Sequence, residues 1–152
     1  AAIGLIQLGR IQDWNFKRSA NANAIWQVAK SIKGLRVPDL SCWGCDRACN
    51  VRNGCAHAAY KCYVFVDGTK NDRDKIMSLI NQHGVPCFSG TCSEVYLENA
   101  FDDTEFKPKK RLPNAKRLGD TSLMFLCHPT LSHTEITKTC DVLRRVVNDY
   151  FC

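Results

Sequence analysis

The sequence predicts an α+β fold: a small, mostly antiparallel sheet packed with helices and headed by a long N-terminal helix. Three observations lead there. The first thirty residues carry apolar side chains at helical spacing, short apolar runs bounded by turn residues follow, and a second strongly periodic segment closes the chain. Helices and strands alternate without the regular βαβ rhythm of a parallel sheet, and no internal repeat is visible.

Residues 1–33 read as one helix, with Gly4, Leu8, Ile11, Asn15, Arg18, Ala22, Ile25, Ala29 and Ile32 stepping by three and four along one face. In the front half Ile3, Leu5, Ile6 and Leu8 spread over more than one face, which predicts burial on several sides. A helix of ~50 Å outreaches what a chain of 152 residues can cover at both ends. We therefore expect the front end, with Trp14 and Phe16, to meet something outside this chain, and the start AAIGLIQLGR to be preceded by further sequence. Gly34 stops the helix and Pro38 forbids its return.

The run 57–68, HAAYKCYVFVDG, is rich in β-branched and aromatic residues and ends in Asp-Gly, a strand and turn. Asn71 is placed to cap a helix over 72–83 with Ile76, Leu79 and Ile80 inward and Gly84 at its C-terminal stop. Residues 85–90 form a second short strand, and 92–101 a helical turn or two. The polar stretch 101–120 reads as surface loop with a short helix at 113–118. Residues 121–127, TSLMFLC, are too continuously apolar for an exposed strand. Ser132 and Glu135 have capping-box spacing, and Ile136, Cys140, Leu143, Val147 and Tyr150 mark the core face of a last helix. The predicted order is α-β-α-β-β-α, with a connecting helix over 1–33 leading into an α+β domain over 34–152.

Composition narrows the function. Charged residues are 24% and hydrophobic ones 45%, a globular balance, and the net charge of +6 permits an acidic ligand without demanding one. The basic run Lys107, Lys109, Lys110, Arg111 is nearly neutralised by Asp102, Asp103 and Glu105 and lacks stacking aromatics, so no nucleic-acid partner is expected. No apolar run reaches the roughly 18 residues of a membrane span, so no membrane partner is expected either. Ten cysteines invite a disulfide reading, but Cys62, Cys87, Cys127 and Cys140 fall in strand and helix positions of core type. That predicts reduced thiols and a cytoplasmic protein. Cys42, Cys45, Cys49 and Cys55 stand apart in a Gly- and polar-rich loop with spacing C-x2-C-x3-C-x5-C. Four thiolates can hold zinc or an iron–sulfur cluster, yet only one C-x2-C knuckle is present, and no metal is assigned.

Of the four histidines, His83 closes a helix and His133 opens one, both with simple surface roles. His57 and His128 flank strand ends, where ligands often sit. The segment SGTCSEVY (89–96) leaves a strand through Gly90 and presents Ser89, Thr91, Cys92, Ser93, Glu94 and Tyr96. Hydroxyls with one carboxylate suit a polyhydroxylated ligand such as a sugar, although Ser93 or Thr91 could equally cap the following turn. A Cys–His nucleophile pair, Cys92 with His57 or His128, is disfavoured, because a chain with this many Cys and His offers such pairs by chance.

Four segments together resemble one family. AAIGLIQL (1–8), HAAYKCYVFV (57–66), GVPCFSGTCSEVYLENAF (84–101) and LPNAKRLGDTSLMFLCHPTL (112–131) are similar to stretches of the DegT/DnrJ/StrS sugar aminotransferases. The likeness covers nearly the whole chain except 39–55, where the Cys-rich loop departs from the pattern. It implies the C-terminal small domain of a fold type I enzyme dependent on pyridoxal phosphate. In that family a preceding domain carries the Schiff-base lysine and phosphate-binding residues, and no lysine here matches that lysine. The resemblance thus implies no catalytic or cofactor-binding residue in this chain, no coenzyme bound to it alone, and no transamination without the missing N-terminal domain. Further implied partners are a second subunit in a homodimer, a nucleotide-linked keto sugar and an amino donor. Carried over by motif, His57, Tyr60, Ser89, Cys92, Ser93, Glu94 and Tyr96 are the substrate-side residues. A free-standing ligand-binding or metal-binding α+β module is the alternative.

Overall fold

The structure, a computed structural model, describes residues 2–40 and 57–151. The four-cysteine loop at 42–55, and with it any metal role for Cys42, Cys45, Cys49 and Cys55, lies outside the described residues.

Helix α1 runs Ala2–Lys30. Its rear half buries Ala22, Ile25, Trp26 and Ala29, whereas Ile3, Leu5, Ile6 and Leu8 are 58–76% exposed and meet nothing within this chain's own core. Phe16 is exposed and Trp14 half-buried. Strand β1 (Leu35–Arg36) follows Gly34, and β2 (Cys62–Val66), α2 (Lys70–Gln82), β3 (Cys87–Phe88), α3 (Pro113–Thr121), β4 (Ser122–Phe125) and α4 (His133–Phe151) complete the order. Two single 3-10 turns, Val95–Leu97 and Asn99–Phe101, fill the segment read as a helical turn or two.

Among the described residues, four strands form one antiparallel sheet in the order β1-β2-β4-β3. Cys62, Phe125 and Cys87 lie side by side across β2, β4 and β3, and Tyr63, Met124 and Phe88 form the next row. Strand side chains alternate between faces. Cys62, Val64, Val66, Leu123, Phe125 and Cys87 therefore join one core with Ile25 and Ala29 of α1, Ile76 and Ile80 of α2, and Ile136, Leu143 and Val147 of α4. Tyr63 and Phe65 point to the opposite face and stay partly open.

Several boundaries differ from expectation for identifiable reasons. Helix α2 starts two residues earlier, because Thr69 rather than Asn71 is its N-cap. The Thr69 hydroxyl accepts from the Asp72 amide and the Asp72 carboxylate accepts from the Thr69 amide, a reciprocal box. Leu79 is 37% exposed rather than in the core. Strand β3 spans only Cys87–Phe88, and the Asn81 side chain takes both backbone groups of Cys87, at 2.8 and 3.1 Å. Helix α3 runs on to Thr121, and β1 pairs Leu35 with Val66, so the observed order is α-β-β-α-β-α-β-α. The second capping box forms as its spacing predicts: Glu135 accepts from the Ser132 amide at 2.7 Å, and Ser132 accepts from the Glu135 amide. Gly84 closes α2 at φ +71°. Arg73, 3% exposed, was not anticipated as a core residue; its guanidinium donates to the carbonyls of Gly119 and Ser122 and locks α2 to the α3–β4 junction.

Among the described cysteines, Cys62, Cys87, Cys127 and Cys140 are free and buried, and Cys92 is free and exposed. Burial pushes the Cys87 thiol up to about 12, Cys127 up to about 11, and Cys62 higher still. Thiolate is the reactive form. Alkylation of the folded chain followed by peptide mapping should therefore label Cys92 on the order of a hundredfold faster than Cys62, Cys87, Cys127 or Cys140. Equal labelling of Cys92 and Cys62 before unfolding would contradict this packing.

Candidate functional site

The two sequence segments singled out above meet on the open face of the sheet. His57, Ala58, Ala59, Tyr60, Lys61 and Tyr63 line an open groove of about 290 Å³ at the start of β2. Tyr60 is 74% exposed, with the Arg18 guanidinium 5.8 Å from its ring centre. His57 packs edge-on against Trp26 at 6.1 Å, and the Trp26 indole N–H donates to the Tyr63 carbonyl at 2.9 Å. A larger open depression of about 610 Å³, on α4 beside Thr137, Lys138, Asp141 and Arg145, holds none of the predicted residues. The groove at β2 is the better candidate because it holds His57 and Tyr60, and because Tyr63 in its wall touches Thr91 of the second segment.

Tyr63 links the segments. Its hydroxyl lies 3.2 Å from Thr91 Oγ1. Gly90 sits at φ +92°, and a Cβ there would stand 2.7 Å from the Tyr63 ring, so both the conformation and the space require glycine. Ser89 and Cys92 are exposed beside this crossing, and Ser93 packs against Gly119. Glu94 and Tyr96 face another way. The Glu94 carboxylate receives a two-pronged ion pair from Arg111, at 2.7 and 2.6 Å, and a hydrogen bond from the Tyr96 hydroxyl at 2.7 Å. That hydroxyl accepts from the Leu112 amide at 2.9 Å. Glu94 and Tyr96 thus tie the loop to the start of α3, while Ser89, Thr91 and Cys92 remain beside Tyr63.

Tyr63 and Arg111 were missed by sequence reasoning. The signal for Tyr63 was present: if Cys62, Val64 and Val66 face the core, Tyr63 must face away. Nothing in the spacing of Glu94 and Arg111 announces their pairing. Within the basic run, Lys107 pairs with Asp102 and Arg111 with Glu94, in keeping with a solvated loop. No thiol–imidazole hydrogen bond occurs among the described residues: Cys92 reaches Glu98, His57 the Ala59 amide and His128 Thr130. Nor do the described residues gather three metal-ligand side chains. No described lysine is buried, and Lys17, Lys107 and Lys116 are engaged with carboxylates.

Comparison with known proteins places the chain. The model of the DegT/DnrJ/EryC1/StrS aminotransferase family matches residues 1–144. The solved aminotransferase from Psychrobacter cryohalolentis is 44% identical, with a TM-score of 0.82 over 99% of this chain and 38% of that one. The aminotransferase TlmJ from Streptoalloteichus hindustanus is 21% identical, with a TM-score of 0.78 over 99% of this chain and 36% of that one. DesI, solved in the presence of its TDP-sugar product, is 19% identical, with a TM-score of 0.71 over 99% and 36%. The last two show the shared fold. No match is found among curated proteins. The chain belongs to the DegT/DnrJ/EryC1/StrS aminotransferase family. It spans little more than a third of the length of these solved relatives.

The Glu94 tie makes a pH prediction. Hydrogen bonds from Arg111 and then Tyr96 lower the Glu94 carboxyl from the ordinary 4.5 to about 2. A depressed folded-state value means that the stabilisation is complete above about 4.5 and is lost as pH falls toward 2. Melting temperatures of the parent chain and Glu94→Gln should differ at pH 6 and converge as pH drops through this window. A gap that stays constant from pH 7 to pH 3 would show that Glu94 is not held as described.

Proposed function

We propose that this chain is the C-terminal small domain of a cytoplasmic, homodimeric aminotransferase that uses pyridoxal phosphate and acts on a nucleotide-linked keto sugar. Residues 1–33 would be the connecting helix and 34–152 the small domain, which closes the site and lines its substrate side. The observation that carries this reading is the crossing of Tyr63 with Gly90 and Thr91. It joins the His57–Tyr60 segment and the hydroxyl-bearing loop into one surface fit for a polyhydroxylated ligand. The 44% identity to a solved aminotransferase supports the reaction class, and the TDP-sugar of DesI supports the substrate class.

The coenzyme would sit on a domain not contained in this chain, since the described residues offer it no buried lysine. The front of α1 is suited to meet such a domain. Ile3, Leu5, Ile6, Leu8 and Ile11 are exposed together there, and burial of each is worth roughly 1.5–3 kcal/mol. A free-standing module would leave that stripe in water, which disfavours the alternative reading. No described helix is long and apolar enough to cross a membrane.

The test uses the coding sequence that precedes Ala1 together with this chain. The longer protein should transfer an amino group from glutamate to a nucleotide-linked keto sugar, and Tyr63→Ala should reduce kcat/KM at least tenfold, on the order of a lost ligand-side hydrogen bond with its ring contact. The isolated chain should give no borohydride-trappable adduct with pyridoxal phosphate at any single lysine. Stoichiometric trapping on the chain alone, or a longer protein indifferent to Tyr63→Ala, would defeat the proposal.

A further inference from the structure

Just before β2 the backbone makes a turn that residues with a side chain seldom adopt. Ala59 lies at φ +45°, in the left-handed region, and is 1% exposed. Both of its backbone groups are held. The amide donates to His57 Nδ1 at 3.0 Å, and the carbonyl accepts from the Cys127 thiol at 2.7 Å. His57 is anchored in turn: its carbonyl accepts from the Ser19 hydroxyl at 2.9 Å, and its ring stands edge-on to Trp26. The residue after the turn, Tyr60, is thrown outward beside Arg18 and into the groove.

We propose that His57 is a positioning residue rather than a ligand contact: by accepting the Ala59 amide it holds the left-handed turn that sets Tyr60 in the groove. Accepting an N–H at Nδ1 leaves Nε2 as the ring nitrogen that carries the hydrogen. Strain of this kind persists only where surrounding contacts over-determine it, and here α1 (Ser19, Trp26) and the residue two beyond β4 (Cys127) do so. The consequence for catalysis rests on the reading of the groove as the substrate side. His57 would then act on substrate affinity through Tyr60.

The proposal is tested first on this chain. Long-range proton–nitrogen NMR correlations above pH 8 should show His57 protonated on Nε2. In His57→Ala the Ala59 amide should exchange roughly fivefold faster, the equivalent of one hydrogen bond, with the far-ultraviolet circular dichroism unchanged. The Tyr60–Arg18 cross-peaks should disappear as well. His57→Asn should restore both, because an Asn carbonyl accepts an amide two residues on in the same way. Ala59→Gly, which needs no help to be left-handed, should restore the cross-peaks in the His57→Ala background. The opposite tautomer, or a His57→Ala chain with Ala59 exchange and Tyr60 cross-peaks unchanged, would overturn the proposal. In the longer enzyme His57→Ala should raise KM for the sugar with kcat retained, and His57→Asn should reverse it. A KM moved by Tyr60→Ala but not rescued by His57→Asn overturns the positioning role. A KM moved by neither variant, with the NMR results as expected, overturns instead the reading of the groove as substrate side.

Discussion

The two faces of β2 are kept distinct by a pairing register that puts Cys62 opposite Phe125 and Val64 opposite Leu123. Cys62, Val64 and Val66 fill the core beneath the helices, so Tyr63 and Phe65 must look the other way. A slip of one residue would bury a phenol and expose three core side chains, which fixes the register firmly. The site inherits that constraint. Tyr63 can meet Gly90 and Thr91 only because β3 lies across β4 in the matching row, with Phe88 level with Met124 and Tyr63. Helices α1 and α4 hold the sheet from behind. The Arg73 guanidinium holds the α3–β4 junction against α2, and the Glu94–Arg111 pair then holds the loop against α3.

Elements with strong periodicity or explicit caps could be read directly from the residues. The step of three and four through Ala22, Ile25 and Ala29, the Ser132–Glu135 box and the stop at Gly84 all describe interactions within a few residues of one another. What could not be read depends on distant partners. Strand β1 exists because Leu35 and Arg36 find Val66 and Phe65, and Cys87 of β3 has both backbone groups held by the Asn81 side chain. At the site, the hydroxyl-rich loop and the His57–Tyr60 segment were both visible, but the contact of Tyr63 with Gly90 and Thr91 was not. Glu94 looked like the one carboxylate free for a ligand. Its real neighbour, Arg111, lies seventeen residues on and is brought to it by the fold. The strained Ala59 gave no sign at all, since Ala is not a residue that advertises a left-handed turn.

The front half of α1 and the groove give the domain a consistent polarity. Apolar side chains from Ile3 to Ile11 lie exposed around the front turns of α1, while Arg18, Tyr60 and Lys61 gather where that helix meets the sheet. Under the proposed function the domain docks through one and reaches a ligand through the other; the solved relatives are nearly three times as long as this chain. In this arrangement the rigid sheet places Tyr63, and the loop from Ser89 to Cys92 supplies adaptable hydroxyl and thiol groups beside it.

The central claim is that residues 57–63 and 89–93 form one ligand-facing surface across Tyr63. Hydrogen–deuterium exchange of the longer enzyme, with and without a nucleotide-linked sugar, tests it most directly. The account predicts that both peptides become protected together on binding, while the outer face of α4 around Thr137 and Asp141 is unchanged. Protection on α4 alone, or on only one of the two segments, would contradict it.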